Sequence, residues 1–203
     1  MRKFKQLSTE QLAPFVFEPA DAPVDWEQLF GNDRPVEIEV GFGKGAFLVA
    51  ASEHWPQRNF LGVEIERKYF YYVAGRLARR GLRNARACCF DGAALLAGSV
   101  ADASVDVVHV YFPDPWWKRR HWKRRLFTPE FAATCARIIR PGGRLSLATD
   151  VEEYFGVMTE TVADLPAFAK MELPEEGPEV TTNFERKALE RGGSVWRAVY
   201  ERR

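Results

Sequence analysis

The chain predicts an α/β fold, a doubly wound and mostly parallel sheet with helices on both faces. Three observations predict it. Strand-like runs alternate with amphipathic helical stretches from Val36 onward, the connections between them are short, and a glycine-rich turn follows the first strong strand. With 203 residues, 46% of them hydrophobic, the chain is long enough for one well-buried domain and short for two. Residues 1–35 read as an N-terminal extension and residues 36–203 as the domain.

The extension carries Pro14, Pro19, Pro23 and Pro35 among scattered acids. It reads as an extended arm with at most a short helix near Trp26 to Phe30. VEIEV, from Val36, is the first strand, and a helix from about Ala46 to His54 is stopped by Pro56. Phe60 to Ile65 reads as a buried strand. The next segment puts Tyr69, Val73 and Leu77 on one helical stripe that ends before Gly81. Asn84 to Phe90 is a weaker strand and Val105 to Phe112 the clearest one. Thr128 caps a helix with Pro129 at its first position and Phe131, Cys135 and Ile138 facing inward, and Pro141-Gly142-Gly143 ends it. Arg144 to Thr149 reads as strand, Glu152 to Leu165 as helix, and Val195 to Glu201 as a last strand after Gly192-Gly193. No internal repeat is visible.

Overall charge is uninformative, 29 Lys and Arg against 28 Asp and Glu, so any polyanion signal must come from local clustering. Three cysteines, two of them the neighbours Cys88 and Cys89, make neither a disulfide framework nor a metal-ligand spacing. A reducing, cytoplasmic setting without a metal is expected. No apolar run approaches the roughly 20 residues needed to span a bilayer, and the start MRKFKQLSTEQL lacks an apolar signal segment. Neither membrane association nor secretion is expected.

The turn after the first strand reads Glu39-Val40-Gly41-Phe42-Gly43-Lys44-Gly45-Ala46. Its glycines let backbone approach a ligand closely at a helix N-terminus. Gly41, Gly43 and Ala46 satisfy G-x-G-x-x-G/A, and Glu64 follows at a distance suited to ribose hydroxyls, so a nicotinamide enzyme must be weighed. Against it stands Glu39. A carboxylate directly before the turn repels a pyrophosphate but attracts the ammonium and sulfonium of S-adenosylmethionine. Asp91, at the end of the third strand, falls where an adenine amino group needs an acceptor. Glu37 reads as a solvated or edge residue with no role.

After the clearest strand comes Tyr-Phe-Pro-Asp-Pro-Trp-Trp-Lys-Arg-Arg-His-Trp-Lys-Arg-Arg-Leu, residues 111–126. Lys118, Arg119, Arg120, Lys123, Arg124 and Arg125 are interleaved with Trp116, Trp117, His121 and Trp122, and Asp114 opposes them. A charge run is often a solvated face, but aromatics among cations suit nucleic acid, because rings stack on bases while cations neutralise phosphates. The run leaves the carboxyl end of a strand, the edge where the ligand crevice of such a sheet opens. Asp114 sits between Pro113 and Pro115, which restrict its backbone and remove two donors. A carboxylate held there can accept from a base's amino or ring N–H and balance charge developing on it.

These residues resemble the bacterial tRNA (guanine-N7)-methyltransferases, which have the class I, Rossmann-like methyltransferase fold. The resemblance rests on GFGKG with Glu39, GVEIE with Glu64, FPDPWWKRRHWKRRL, ATDVEEY with Asp150 and TNFERKALERGGSVW, and spans residues 36–203. It implies a seven-stranded sheet and methyl transfer from S-adenosylmethionine to guanine N7 in the tRNA variable loop. It also implies that Glu39, Gly41, Gly43, Glu64 and Asp91 hold the donor and that Asp114, beside donor and guanine, is the catalytic aspartate. Lys118 and Asp150 match substrate-contacting positions. Thr182, Asn183, Phe184 and Glu185 match a segment that closes over the site, with Asn183 where the family commonly has lysine. Arg119, Arg120, Lys123, Arg124 and Arg125 are left for the RNA backbone, and a monomer or homodimer is expected.

Guanine N7 carries a lone pair and no proton, so its methylation requires no general base, and no serine, cysteine or histidine stands out as one. The alternatives are an amino-methyltransferase acting on adenine or cytosine, since Asp114-Pro115-Trp116 resembles the D-P-P-aromatic loop of such enzymes without its second proline, and a non-catalytic RNA-binding module. Intact Glu39, Glu64 and Asp91 argue against the latter.

Overall fold

The computed structural model describes residues 7–20, 22–116, 118–173, 180 and 182–203, with only the backbone of Arg119 and Asn183. Eight strands form one sheet in the order β1-β4-β3-β2-β5-β6-β8-β7. They are β1 (Val16–Phe17), β2 (Val36–Val40), β3 (Asn59–Glu64), β4 (Ala85–Cys89), β5 (Val105–Tyr111), β6 (Ile139–Thr149), β7 (Phe168–Met171) and β8 (Trp196–Arg202). Pairing is parallel from β1 through β6, and β8 inserts antiparallel between β6 and β7. β2 and β3 are buried along their whole length, as central parallel strands covered on both faces must be.

The eighth strand corrects the expected count of seven. It comes from the N-terminal segment, which is more structured than its prolines suggest. α1 (Thr9–Leu12) starts in a capping box between Ser8 and Gln11, a 3-10 turn follows, and Val16 and Phe17 pair with Ala87 and Cys88. The segment thereby covers the open β4 edge. α2 (Trp26–Phe30) is capped by Asp25 and closed by Gly31.

The helices on the two faces are α3 (Ala46–His54), α4 (Arg67–Arg80), α5 (Gly92–Ser99), α6 (Pro129–Ile138), α7 (Glu152–Ala163) and α8 (Asn183–Glu190). One apolar cluster joins Ile38, Val63, Val108 and Leu147 of the sheet to Leu96, Phe131 and Met158 of α5, α6 and α7. The other joins Phe47 and Leu48 of α3 to Phe60 of β3 and Val73 and Leu77 of α4.

The helix after Thr128 ends at Ile138, and β6 begins at once at Ile139, so Pro141-Gly142-Gly143 is not a helix stop but an irregularity inside a strand. The register jumps there, from Val105 opposite Ile139 to Val107 opposite Arg144. Gly143 is required at this bulge, because a Cβ would lie 2.6 Å from the Asp106 carbonyl oxygen and 2.9 Å from that of Arg140. Among the described residues no helix is long and apolar enough to cross a membrane.

Candidate active site

Strand order reverses between β2 and β5, so their carboxyl ends diverge and open a crevice. A cavity of about 200 Å³ lies there, walled by Glu39, Phe47, Tyr69, Tyr111, Phe112 and Phe184, with Lys44, Thr182 and Lys187 on its rim. Gly41 and Gly43 form its floor with φ of 79° and 51°. Gly45, at φ 61°, caps α3, and a Cβ there would overlap the Val73 side chain of α4. The turn is therefore tight for two reasons, backbone conformation and the close approach of α4.

Glu39 is 5% exposed and its Oε2 has no hydrogen-bond partner. Burial pushes its carboxyl from an ordinary 4.5 up to about 8, a backbone hydrogen bond from Leu48 opposes this, and the Glu64 charge adds to it. A buried carboxylate with one oxygen left without a partner in a cavity wall is a receptor for a cation, because a positive or donating ligand relieves the cost of burying it. The residues present thus fit the ammonium-bearing end of S-adenosylmethionine.

Glu37 is not the solvated residue that the sequence suggests. It is 2% exposed, with Oε1 accepting from Arg58 at 2.5 Å and Oε2 bonded to His109 Nε2 at 2.7 Å. His109 Nδ1 contacts the Tyr111 hydroxyl at 2.9 Å, which in turn meets Ser146 Oγ at 2.9 Å. Burial alone would raise the Glu37 pKa, but His109 and then Arg58 bring it below the usual value. The alternation of a strand puts Glu37 and Glu39 on one face and His109 and Tyr111 beside them across the β2–β5 ladder. Two buried glutamates two residues apart thus have opposite characters: Glu37 has both oxygens partnered, by Arg58 and His109, while Glu39 Oε2 has no partner.

Glu64 stands behind the glycine turn, its Oε2 accepting from the Gly43 amide at 2.8 Å and its Oε1 from Glu66 at 3.0 Å. Asp91 lies two residues beyond the end of β4 at the same sheet edge, exposed, and caps α5 by accepting from Ala94 at 2.9 Å. Neither lines the cavity, and each carboxylate keeps lone pairs for a further donor.

Asp114 is exposed, two residues beyond Phe112 of the cavity wall. Phe112 and Trp116, which bracket Pro113-Asp114-Pro115, both have positive φ, 52° and 46°. Non-glycine residues held there cost free energy that the surrounding contacts must offset. Arg125 supplies those contacts: its Nε donates to the Pro115 carbonyl at 2.8 Å and its guanidinium lies over Trp122 and Tyr154, 4.8 and 5.0 Å from the ring centroids. Of the cations read as backbone contacts, Arg125 is therefore half-buried and holds the loop itself. Arg124 lies over Trp116 at 5.2 Å, and Lys118, Arg120 and Lys123 are exposed around a 3-10 turn over Arg119–Arg124. Trp117 and the Arg119 side chain lie outside the described residues.

α8 brings the C-terminal segment to the cavity. Thr182 and Glu185 form its capping box, and Phe184 stacks on Phe112 with centroids 5.7 Å apart. Glu185 does not face the cavity: it is buried against β8, ion-paired with Arg197. The Asn183 side chain lies outside the described residues, and Asp150 is exposed at the carboxyl end of β6 on the same sheet edge. The structure thus gathers Glu39, Gly41, Gly43, Thr182 and Phe184 around one cavity, with Glu64 bonded to the Gly43 amide behind it, while Asp114 follows the lining residue Phe112 by two positions and does not itself line the cavity. The sequence did not announce the wall residues Tyr69, Tyr111 and Phe112, although the polar period-two pairs Glu37/Glu39 and His109/Tyr111 were a signal that one sheet face is not plain core.

Comparison with known proteins fits this geometry. A family model described as "Putative methyltransferase" matches residues 33–198. A protein of Rhodopirellula baltica named tRNA (guanine-N(7)-)-methyltransferase is 42% identical, over 91% of this chain and 73% of its own length. The chain belongs to the tRNA (guanine-N7)-methyltransferase family. A second family member, of Pseudomonas entomophila, is 37% identical over 100% of this chain and 87% of its own. Among solved structures, the 16S rRNA methyltransferase KamB and the aminoglycoside resistance methyltransferase NpmB1 superpose with TM-scores of 0.62 and 0.61, each at 17% identity, covering 88% and 87% of this chain and 93% and 91% of theirs. At that identity they show the fold, a class I methyltransferase sheet.

Proposed function

We propose that this enzyme moves the methyl group of S-adenosylmethionine to N7 of a guanosine in the variable loop of tRNA. The observation that carries the reading is the buried Glu39 carboxylate, its Oε2 without a partner, in the wall of a cavity whose lining residue Phe112 leads in sequence into Asp114 and the cationic loop. The names of the family's relatives support the same substrate and atom.

Bound, S-adenosylmethionine supplies an electrophilic methyl on a cationic sulfur. Glu39 holds the ammonium, Gly41 and Gly43 let backbone come close, and Glu64 and Asp91 offer acceptors to ribose hydroxyls and the adenine amino group. Ile65 and Phe90, exposed at the ends of β3 and β4, offer apolar faces between them. Asp114 accepts from guanine's N–H groups and stabilises the positive charge the base acquires. Phe184 and Thr182 close the cavity, Lys118 and Asp150 steer the nucleotide, and Lys123, Arg124 and Arg120 meet phosphates.

No side chain needs to remove a proton, because N7 has none. Three groups of the kind that serve as base or nucleophile are otherwise engaged: both His109 ring nitrogens are bonded inside the protein, and burial pushes the Cys88 thiol up to about 12 and that of Cys135 up as well. Alignment is then the main source of rate, worth up to roughly 7–11 kcal/mol in favourable cases. The test is to incubate the protein with labelled S-adenosylmethionine and unmodified bulk tRNA and digest to nucleosides. Label in 7-methylguanosine is the expected result, and label in an adenine or cytosine derivative refutes the reading.

A further inference from the structure

α4 carries a second surface that the proposed chemistry does not use. Its sequence, RKYFYYVAGRLARR, contains five cations and no carboxylate. Arg67 and Lys68 occupy its first turn, where the helix dipole favours anions, so their position works against the helix. Tyr71 and Tyr72, 52% and 54% exposed, stand beside them as large rings left facing solvent. Cations and rings are paired: Arg67 reaches the Tyr71 hydroxyl at 3.4 Å, Lys68 lies over Tyr69 at 4.8 Å, and Arg76 lies over Tyr72 at 5.8 Å. Nearby acids temper two of the cations, Glu66 pairing with Lys68 and Glu53 with Arg80.

The surface is continuous with the cavity. Tyr69 lines it, Lys44 stands on its rim, and Arg76 donates to the carbonyls of Lys44 and Gly45 at 2.7 and 3.0 Å. On the other side of β2 from β3 and α4, the lining residues Tyr111 and Phe112 at the end of β5 lead into the cationic loop. The cavity therefore lies between two aromatic and cationic surfaces built on different elements.

Resting on the function proposed above, we infer that Arg67, Lys68, Tyr71, Tyr72 and Arg76 form a second RNA-contacting surface, which holds the tRNA strand on the side of the cavity opposite Lys118–Arg125. A helix face with no carboxylate of its own complements a polyanion, and exposed tyrosines beside arginines provide stacking planes for unpaired bases. Gripping the RNA on both sides would leave the target nucleotide over the cavity mouth.

The test compares Arg67→Gln/Lys68→Gln and Tyr71→Ala/Tyr72→Ala with wild type for tRNA binding across a salt series. Methyl transfer to guanine N7 by wild type and the donor-induced rise in Tm for all three proteins are measured in parallel. The charge variant is expected to bind tRNA at least tenfold more weakly, with the slope of log affinity against log salt reduced in magnitude by about 2. The tyrosine variant is expected to bind at least tenfold more weakly with the slope unchanged, and both keep the donor-induced rise. Unchanged tRNA affinity and slope in both variants, with wild type methylating tRNA, overturns the inference and leaves the function standing. Wild type that neither binds nor methylates tRNA overturns both. Unchanged tRNA affinity with altered self-association assigns the surface to a second copy of the chain and overturns the inference as well.

Discussion

Replacing Glu39 by glutamine separates the cost of burying this carboxylate from its use. Its folded pKa of about 8 lies above the ordinary 4.5, so the folded state binds the extra proton between these values and stability declines as pH rises from about 4.5 to 8. At 1.36 kcal/mol for each tenfold change in proton activity, the penalty is roughly 5 kcal/mol above pH 8. Glutamine escapes it but leaves a buried amide short of partners, which costs about 1–3 kcal/mol. The ligand-free variant is therefore expected to be about 2–4 kcal/mol more stable than wild type at pH 8.5, a Tm roughly 5–15 °C higher, with no such advantage at pH 5. Donor binding moves the other way: losing a desolvated charge pair costs about 2–5 kcal/mol, at least a thirtyfold weaker Kd. Wild type should also release a proton on binding the donor below pH 8, seen as heats that depend on the buffer. Melting curves from pH 5 to 8.5, with and without S-adenosylmethionine, decide the matter. Parallel pH profiles for the two proteins, or equal donor affinity, would refute the reasoning.

Further perturbations act on other parts of the account. Asp114→Ala should leave tRNA affinity within about threefold, since the phosphate contacts lie elsewhere, while turnover falls by about 10² or more in single-turnover assays. Glu37→Ala strands His109 and Arg58 and should cost about 3 kcal/mol in chemical denaturation. Because the Glu37 pKa is lowered, the stability it supplies in wild type is present above the usual carboxylate range and fades as pH falls through it. Arg125→Ala should lower turnover more than it weakens tRNA binding, because it releases the Pro115 carbonyl and the Tyr154 ring rather than a phosphate. Gly143→Ala should lower Tm by several degrees, since its Cβ meets the Asp106 and Arg140 carbonyls.

Legibility from sequence followed the range of the forces involved. Hydrophobic period and capping chemistry are local, so α3, the stripe on α4 and the Thr128-Pro129 start of α6 read directly. β7 and α8, by contrast, draw on distant partners: β7 pairs with β8, and α8 is tied down by the Glu185–Arg197 pair. α5, GAALLAGS, is small and apolar on all sides and shows no stripe. Pro141-Gly142-Gly143 looked like a helix stop because its sequence signal, proline before glycines, is shared by bulges; the ladder to β5 decides between them. At the site, Glu39, the glycines and Asp114 were legible because unusual chemistry sat at strand ends. Glu37 was misread because an isolated acid in a strand looks solvated until its partners, Arg58 and His109, are seen across the fold. Arg125 looked interchangeable with its neighbours until its stacking on Tyr154 set it apart.

The central claim is that the methyl group goes to the unprotonated ring nitrogen of guanine, presented by Asp114 to a donor held at Glu39. The most direct measurement offers two tRNA transcripts, one containing guanosine and one with 7-deazaguanosine in its place, to the enzyme with labelled S-adenosylmethionine. Label entering the first transcript and not the second is the predicted result; equal label in both would mean that another atom is the acceptor and would contradict the account.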